Sequence, residues 1–319
     1  MKKYIFVLGL LLSSLCYAWE PTKPITAYIG YGPGSANEIS FRGVAAEIER
    51  NNPNVHFIIQ NLPGDNGVVA LNYTTKLPPD GYSLNVTGNL AQYVLNEIYN
   101  REGMKYKVED LNPILSLGTT PIVIIANNSS SINNVTDLVK YFKTTKQNVT
   151  VALGDIPHYL LYGAILEKNN NSRVQFTMYK GPAQAAQDVI GGHVEFAMIP
   201  LPVAAQLIVG GKVKLIGVAG EKRSIQFPNV QAVNEVIPGV IVQGMWNITL
   251  PKDTPKEVVD WYVTNFNKAI KSENVQKYFR ENYMVTAKDL NPEQSKRAIQ
   301  QLRLNYLILA YHLKDNFTK

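Results

Sequence analysis

Short apolar runs alternate along the chain with stretches whose apolar residues recur every three or four positions. The runs read as strands: "ITAYIG", "VHFIIQ", "YSLNVTG", "PILSLG", "PIVIIAN", "VTVALG", "VQFTMY", "EFAMI", "VKLIGVAG" and "VIVQGMWNITL". Between them, Phe41, Val44, Ala45 and Ile48 fall on one face of a helix that starts near Ser35. Leu138, Tyr141 and Phe142 mark a second helical face, and Leu160, Ala164 and Ile165 a third. Gly191-Gly192 closes the helix after "YKGPAQAAQDVI", and Thr254-Pro255 opens another. A last helix is expected from about Pro292 to His312, with Ala298, Leu302, Tyr306 and Leu309 on its apolar side. Alternating strands and helices predict an α/β fold, with parallel sheets covered by helices.

The first 18 residues depart from this pattern. Lys2 and Lys3, the apolar stretch Tyr4 to Leu12 and the Cys16-Tyr17-Ala18 end read as a signal peptide cut after Ala18. Cys16 as a lipid-attachment site is the rival reading, and the bulky Leu15 before it argues against that. Cleavage would remove the only cysteine. The chain has 31 Lys and Arg against 25 Asp and Glu, for +6; loss of Lys2 and Lys3 would leave +4. That mild, scattered charge offers no basic tract for nucleic acid. Periplasmic export and a soluble mature protein, expected as a monomer, follow from this reading.

Catalytic patterns are missing. His56, His158, His193 and His312 lack metal-ligand spacing, and Pro33 and Asn37 stand where a nucleophile elbow needs glycines. "GYGPGS" has its glycines at the wrong intervals for a dinucleotide loop. No enzymatic activity, metal or cofactor is expected. Glycine-bearing turns that open directly into helices are plentiful instead: "GYGPGSANE", "LPGDNG", "TGNLAQ", "LGDIPHY" and "YKGPAQ". Free N–H groups and a partial positive charge at a helix start bind anions, and in open α/β sheets such turns gather at the carboxyl ends of strands. Each turn has a plain structural reading too. Ser35 and Glu38 match a capping box, S-x-x-E. Asp155 either caps the next helix or faces a ligand, where it would favour an ammonium beside the carboxylate, as in an amino acid.

"KPITAYIGYGPGSANEISFRGVA", "NLPGDNG", "PPDGYSLNVTGN", "YKGPAQAAQDVIGGHVEFAMI", "GGKVKLIGVAGEKRS", "FPNVQAVNEVIPG" and "LPKDTPKEVV" occur in an order that resembles the solute-binding receptors of tripartite tricarboxylate transporters, the Bug family. The resemblance implies a type II periplasmic-binding fold, a Venus flytrap of two lobes with a hinge and an interlobe cleft. Lobe 1 would comprise residues 19–119 and 224–319, and lobe 2 residues 120–223. It also implies capture of a small carboxylate and delivery to a membrane permease. The same clamp could instead present its solute to a sensor kinase. Carried over by position, one side of the cleft would use Tyr31, Gly34, Ser35, Ala36 and Asn37, with Thr87, Gly88, Asn89, Leu90 and Ala91. The other would use Gly154, Asp155, His158 and Tyr159, then Tyr179, Lys180 and Gly181, and Ile199 beyond its strand. Gly34-Ser35 replaces the double glycine usual in the family, and Asp155-Ile156-Pro157 replaces a run usually rich in Gly, Ser and Thr.

Overall fold

The computed structural model describes residues 19–88, 103–153, 174–179, 181–287 and 291–301, together with Leu304 and Leu307. The predicted helix at Leu160, Ala164 and Ile165 lies outside them. The strands, in chain order, are β1 (Ile25–Ile29), β2 (Phe57–Asn61), β3 (Ser83–Thr87), β4 (Leu111–Asn127), β5 (Val149–Leu153), β6 (Val174–Met178), β7 (Phe196–Pro200), β8 (Val213–Val218), β9 (Gln243–Pro251) and β10 (Val285–Thr286). The helices used below are α1 (Ala36–Asn51), α2 (Val68–Thr74), α3 (Val135–Thr144), α4 (Pro182–Ile190), α5 (Leu201–Val209), α6 (Val233–Val236), α7 (Lys256–Lys271), α8 (Glu273–Glu281) and α9 over 292–301.

Hydrogen-bonded neighbours run β2-β1-β3-β9-β4-β7-β5-β6, with β8 and β10 also on β4. The two apolar runs "PILSLG" and "PIVIIAN" are one strand, β4, which serves both halves of the sheet. From Leu111 to Pro121 it pairs with β9, and from Ile122 it pairs with β7 and β8. Its two prolines sit where a missing N–H does least harm: Pro113 at a register shift, and Pro121 where the partner strand changes. Ile122 spends its N–H on Val242 (3.3 Å) and its carbonyl on the N–H of Ala219 (2.7 Å), while the Val242 N–H reaches Ala219 (2.7 Å). Both bonds of Ile122 lie on one edge of β4. Hence β9 and then β8 follow one another along that edge, and β10 and then β7 follow along the other.

Each half has its own core. Phe41, Val44, Ala45 and Ile48 of α1 are buried as their spacing predicts. They pack with Leu84 and Val86 of β3, Trp246, Ile248 and Leu250 of β9, and the inner faces of α7 and α8. In the other half, Leu138 and Phe142 of α3 pack on Ile122, Ile124, Val151, Phe196 and Met198. Ala185, Ala186 and Val189 of α4 and Ala204 and Ala205 of α5 cover the opposite face, over Val123 and Ile125. The strands of this half are apolar on both faces, as a sheet covered on both sides requires.

Two local expectations change. Pro255 rather than Thr254 is the boundary residue of α7, and the Thr254 hydroxyl donates to the Pro251 carbonyl at 2.7 Å. On α9 the buried side chains are Ser295 and Ile299, while Ala298 is half-buried and Leu304 exposed. Leu302, Tyr306 and Leu309, the rest of the predicted apolar side, lie outside the described residues.

Candidate functional site

The carboxyl ends of β1 and β3 lie side by side, with Ile29 opposite Val86. The chain leaving β1 passes through Tyr31 to Gly34 and enters α1 at Ser35. Gly34 has φ +76°, a conformation that favours glycine, and the space where a Cβ would stand is open. Gly30 is tighter: a Cβ there would meet the Gly67 Cα at 2.5 Å, so the turn after β1 and the turn before α2 touch backbone to backbone. Tyr31 packs partly buried against the α1 core, and its carbonyl accepts from the Asn61 side-chain amide at 2.8 Å.

The S-x-x-E sequence does not form a capping box. Ser35 makes no side-chain cap bond. Its Oγ is buried, with the residue 8 % exposed, and has no hydrogen-bond partner. Glu38 works elsewhere. Its Oε2 accepts from the Gly34 N–H (3.2 Å) and the Asn61 amide (3.1 Å), and its Oε1 accepts from Arg42 Nε (2.7 Å) and Nη2 (2.5 Å). The carboxylate therefore fixes the loop while Arg42 offsets its charge. What remains at the start of the 16-residue α1 is a set of main-chain donors and a free buried hydroxyl. Ala36 is buried in the first turn. The Asn37 amide donates to the Val86 carbonyl at 3.3 Å, tying the helix start to the end of β3.

Thr87, the last residue of β3, is buried. Its Oγ1 donates to the Asn247 carbonyl (3.2 Å) and meets Thr249 Oγ1 (3.2 Å). Gly88 is buried next to it. Asn247 stands directly opposite Thr87 on β9 and opposite Ser116 on β4. It is fully buried, yet neither Nδ2 nor Oδ1 has a hydrogen-bond partner. The sequence reading passed over this residue. The signal was the alternation in "MWNITL", which puts Asn247 and Thr249 on the face opposite Trp246, Ile248 and Leu250.

In the other half, β5, β6 and β7 run parallel, so their carboxyl ends share one edge. Tyr179 follows β6, with its N–H on the Leu153 carbonyl at 3.0 Å. Its hydroxyl donates to Asp188 of α4 at 2.7 Å. Burial pushes the phenol up to about 12, and the Asp188 carboxylate adds to the shift. A phenol held this way presents its ring rather than its proton. Gly181 caps α4 ahead of Pro182, with open space at its Cβ position. Ile199 and its neighbours Met198 and Pro200 belong to β7 itself, not to a loop after it. The Ile199 side chain is fully buried in the core beneath α4 and α5, which leaves only its backbone for a ligand. Asn89, Leu90, Ala91, Gly154, Asp155, His158, Tyr159 and Lys180 lie outside the described residues. Among the described residues, no cluster of His, Cys, Asp and Glu could hold a metal, and no helix is long and apolar enough to cross a membrane.

Helix starts and strand ends of this kind, on two halves joined through β4, define a two-lobed α/β solute-binding fold of the periplasmic-binding class. The solved structure "R. palustris Rpa4515 with adipate" superposes with a TM-score of 0.84 at 20 % identity, covering 92 % of this chain and 98 % of that one. The periplasmic binding protein BugD superposes with a TM-score of 0.83 at 22 % identity over 92 % and 99 %. MatC from Rhodopseudomonas palustris with bound malate gives 0.81 at 18 % over 91 % and 99 %. In sequence, BugT of Bordetella pertussis is 23 % identical over 290 residues, 88 % of each chain. A protein in the gbd 5' region of Cupriavidus necator is 28 % identical over 257 residues, 80 % of this chain and 76 % of that one. A family model described as "Tripartite tricarboxylate transporter family receptor" matches residues 41–308. The chain belongs to that family, whose members are solute-binding receptors rather than enzymes.

Proposed function

We propose that the protein captures a small organic anion in a cleft between its lobes and delivers it to a tripartite tricarboxylate-type membrane permease. The lobes would comprise residues 19–119 with 224–319, and residues 120–223. Export through the leader at residues 1–18 would release the receptor, as a monomer, into the periplasm. One observation carries the reading: the Ser35 hydroxyl is buried and unpaired at the start of α1. A buried hydroxyl without a partner costs stability unless a guest supplies one. The α1 start, with main-chain donors and a positive dipole end, favours a carboxylate as that guest. Thr87 and Gly88 bring the second loop alongside, and Tyr179 and Gly181 are the facing contribution.

Closure follows from geometry. Contacts to both lobes exist together only when the cleft is shut, so solute shifts the population toward the shut form, which the permease would read. Adipate and malate, found in the structural relatives, are the first solutes to test, beside amino acids and aromatic acids. The test is calorimetric titration of the wild type and of Ser35→Ala. We expect a dicarboxylate to bind the wild type and to lose about ten- to a hundredfold in the variant, the effect of one hydrogen bond to a charged group. Binding unchanged in Ser35→Ala would refute the assignment.

A further inference from the structure

The receptor reading leaves unused a groove at the place where β4 changes partners. The groove measures about 670 Å³, within the range of about 300–1,000 Å³ that small-molecule sites occupy. Val218 and the segment leaving β8 line it, together with Phe279, Tyr283 and Met284 at the end of α8 and Val285 of β10. Two of its apolar residues are left bare: Ile225 is 92 % exposed and Val285 60 %. Tyr283 is held there against its backbone preference. α8 ends in a Schellman motif, with the Met284 N–H on the Phe279 carbonyl (2.8 Å) and the Tyr283 N–H on that of Arg280 (3.1 Å). The residue at this bend is usually glycine. Here a tyrosine adopts φ +57°, a conformation that disfavours a side chain, and its ring is kept at the groove.

Charge narrows the occupant. Lys222, Arg223 and Arg280 line the groove against one acid, Glu221. Arg223 is spent on Glu235. Lys222 and Arg280 are exposed and make no ion pair among the described residues, so the surplus is positive. An amine would be repelled, and a short dicarboxylate would leave the apolar lining wet. We propose that this groove is a second ligand site, separate from the cleft, for an organic acid with one anionic group on a bulky apolar body. Lys222 and Arg280 meet the acid group, and Phe279, Tyr283, Met284 and Val285 cover the body. The site stands or falls independently of the carboxylate site at Ser35, because no residue serves both.

Calorimetric titration with octanoate tests this, with octylamine as the cationic control and butyrate as the short acid. The proteins are the wild type, the double variant Lys222→Ala with Arg280→Ala, Tyr283→Gly and Ser35→Ala. The two lysine and arginine side chains are exposed, and glycine suits the Tyr283 backbone, so the groove variants should fold, as thermal melting checks. The wild type is expected to bind octanoate at one site, more tightly than butyrate because each buried CH₂ contributes up to about fourfold. Octylamine should bind more weakly than octanoate. The double variant and Tyr283→Gly should each lose about fivefold or more in octanoate affinity, while Ser35→Ala keeps it. Three results overturn the proposal. Octanoate that fails to bind would leave the bare Ile225 and Val285 to a protein partner. Octanoate lost only in Ser35→Ala would place it in the cleft. Octylamine binding as well as octanoate would mean apolar contact without charge selection.

Discussion

The ring of Tyr283 stacks on that of Phe227, with centroids 5.6 Å apart and planes at 15°. Tyr283 sits between α8 and β10, and Phe227 lies in the segment that leaves β8. Ser35 follows β1 and Thr87 ends β3, both on the β9 side of β4, and Tyr179 and Ile199 lie with strands on its β7 side. The stack joins the remaining two edges, β10 and β8. It borders a groove of about 670 Å³ that includes Pro121, Gly220 and Gln243, the residues around the strand switch. The cleft closure proposed above would rotate the halves about β4 and rearrange contacts between the edges outside the proposed solute site. An offset aromatic pair contributes about 0.5–1.5 kcal/mol. Removing it by Phe227→Ala should favour cleft closure and tighten solute binding by up to about tenfold, as that energy converts. Small-angle scattering without solute should show a smaller radius of gyration in the variant. A weaker-binding variant of unchanged size would show that the stack persists in the shut form.

Glu38 gives a sharper stability test. It is buried, it holds the Gly34 N–H and the Asn61 amide, and its charge is met by Arg42. Glu38→Ala strands these donors and releases a half-exposed arginine. The expected loss is about 2–3 kcal/mol by urea unfolding, with weaker solute binding because the loop before Ser35 loses its anchor. Glu38→Gln keeps the geometry and should recover much of the stability. A neutral Glu38→Ala would mean the loop is held by its glycines alone.

Those glycines separate two effects. Gly30→Ala would drive a methyl to 2.5 Å from the Gly67 Cα, backbone against backbone, and should cost about 1–3 kcal/mol through forced displacement. Gly34→Ala meets open space and should cost about 1–2 kcal/mol through its positive φ alone. Melting curves of the two variants, with and without solute, would distinguish them. Gly30→Ala should retain its affinity once folded, while Gly34→Ala should lose affinity beside the binding loop.

Much of this arrangement was legible in the sequence because it follows local rules. The apolar stripe of Phe41, Val44 and Ile48 gave the buried face of α1, and the glycine-bearing loop ahead of Ser35 gave the turn that opens it. The continuity of β4 was hidden, since Pro113 and Pro121 read as breaks and only the partner strands reveal where a missing N–H is harmless. The S-x-x-E pattern suggested a cap, but Arg42, one turn on from Glu38, competes for the same carboxylate. Ile199 was set beyond its strand by the position carried over from the family, although the apolar run "EFAMI" already read as a strand that includes it. Asn247 escaped for another reason. A polar residue in an apolar run looks like ordinary alternation until its neighbours' hydrogen bonds are known.

At the exposed surface, Glu235 pairs with Arg223 through two bonds, Nε to Oε1 at 2.7 Å and Nη2 to Oε2 at 2.6 Å. It also accepts the Ala232 N–H at 2.9 Å. The guanidinium first, and the backbone N–H second, hold this carboxyl down at about 2 against an ordinary 4.5. A carboxyl whose pKa falls on folding adds stability above its unfolded value and loses it as the proton returns. The pair is exposed, so its contribution is modest and screened by salt. In melting experiments the advantage of the wild type over Glu235→Gln should be steady from neutral pH to about 4.5. It should shrink between 4.5 and about 2, and it should be smaller throughout in high salt. An advantage that grew on acidification would reverse the sign and refute the pairing.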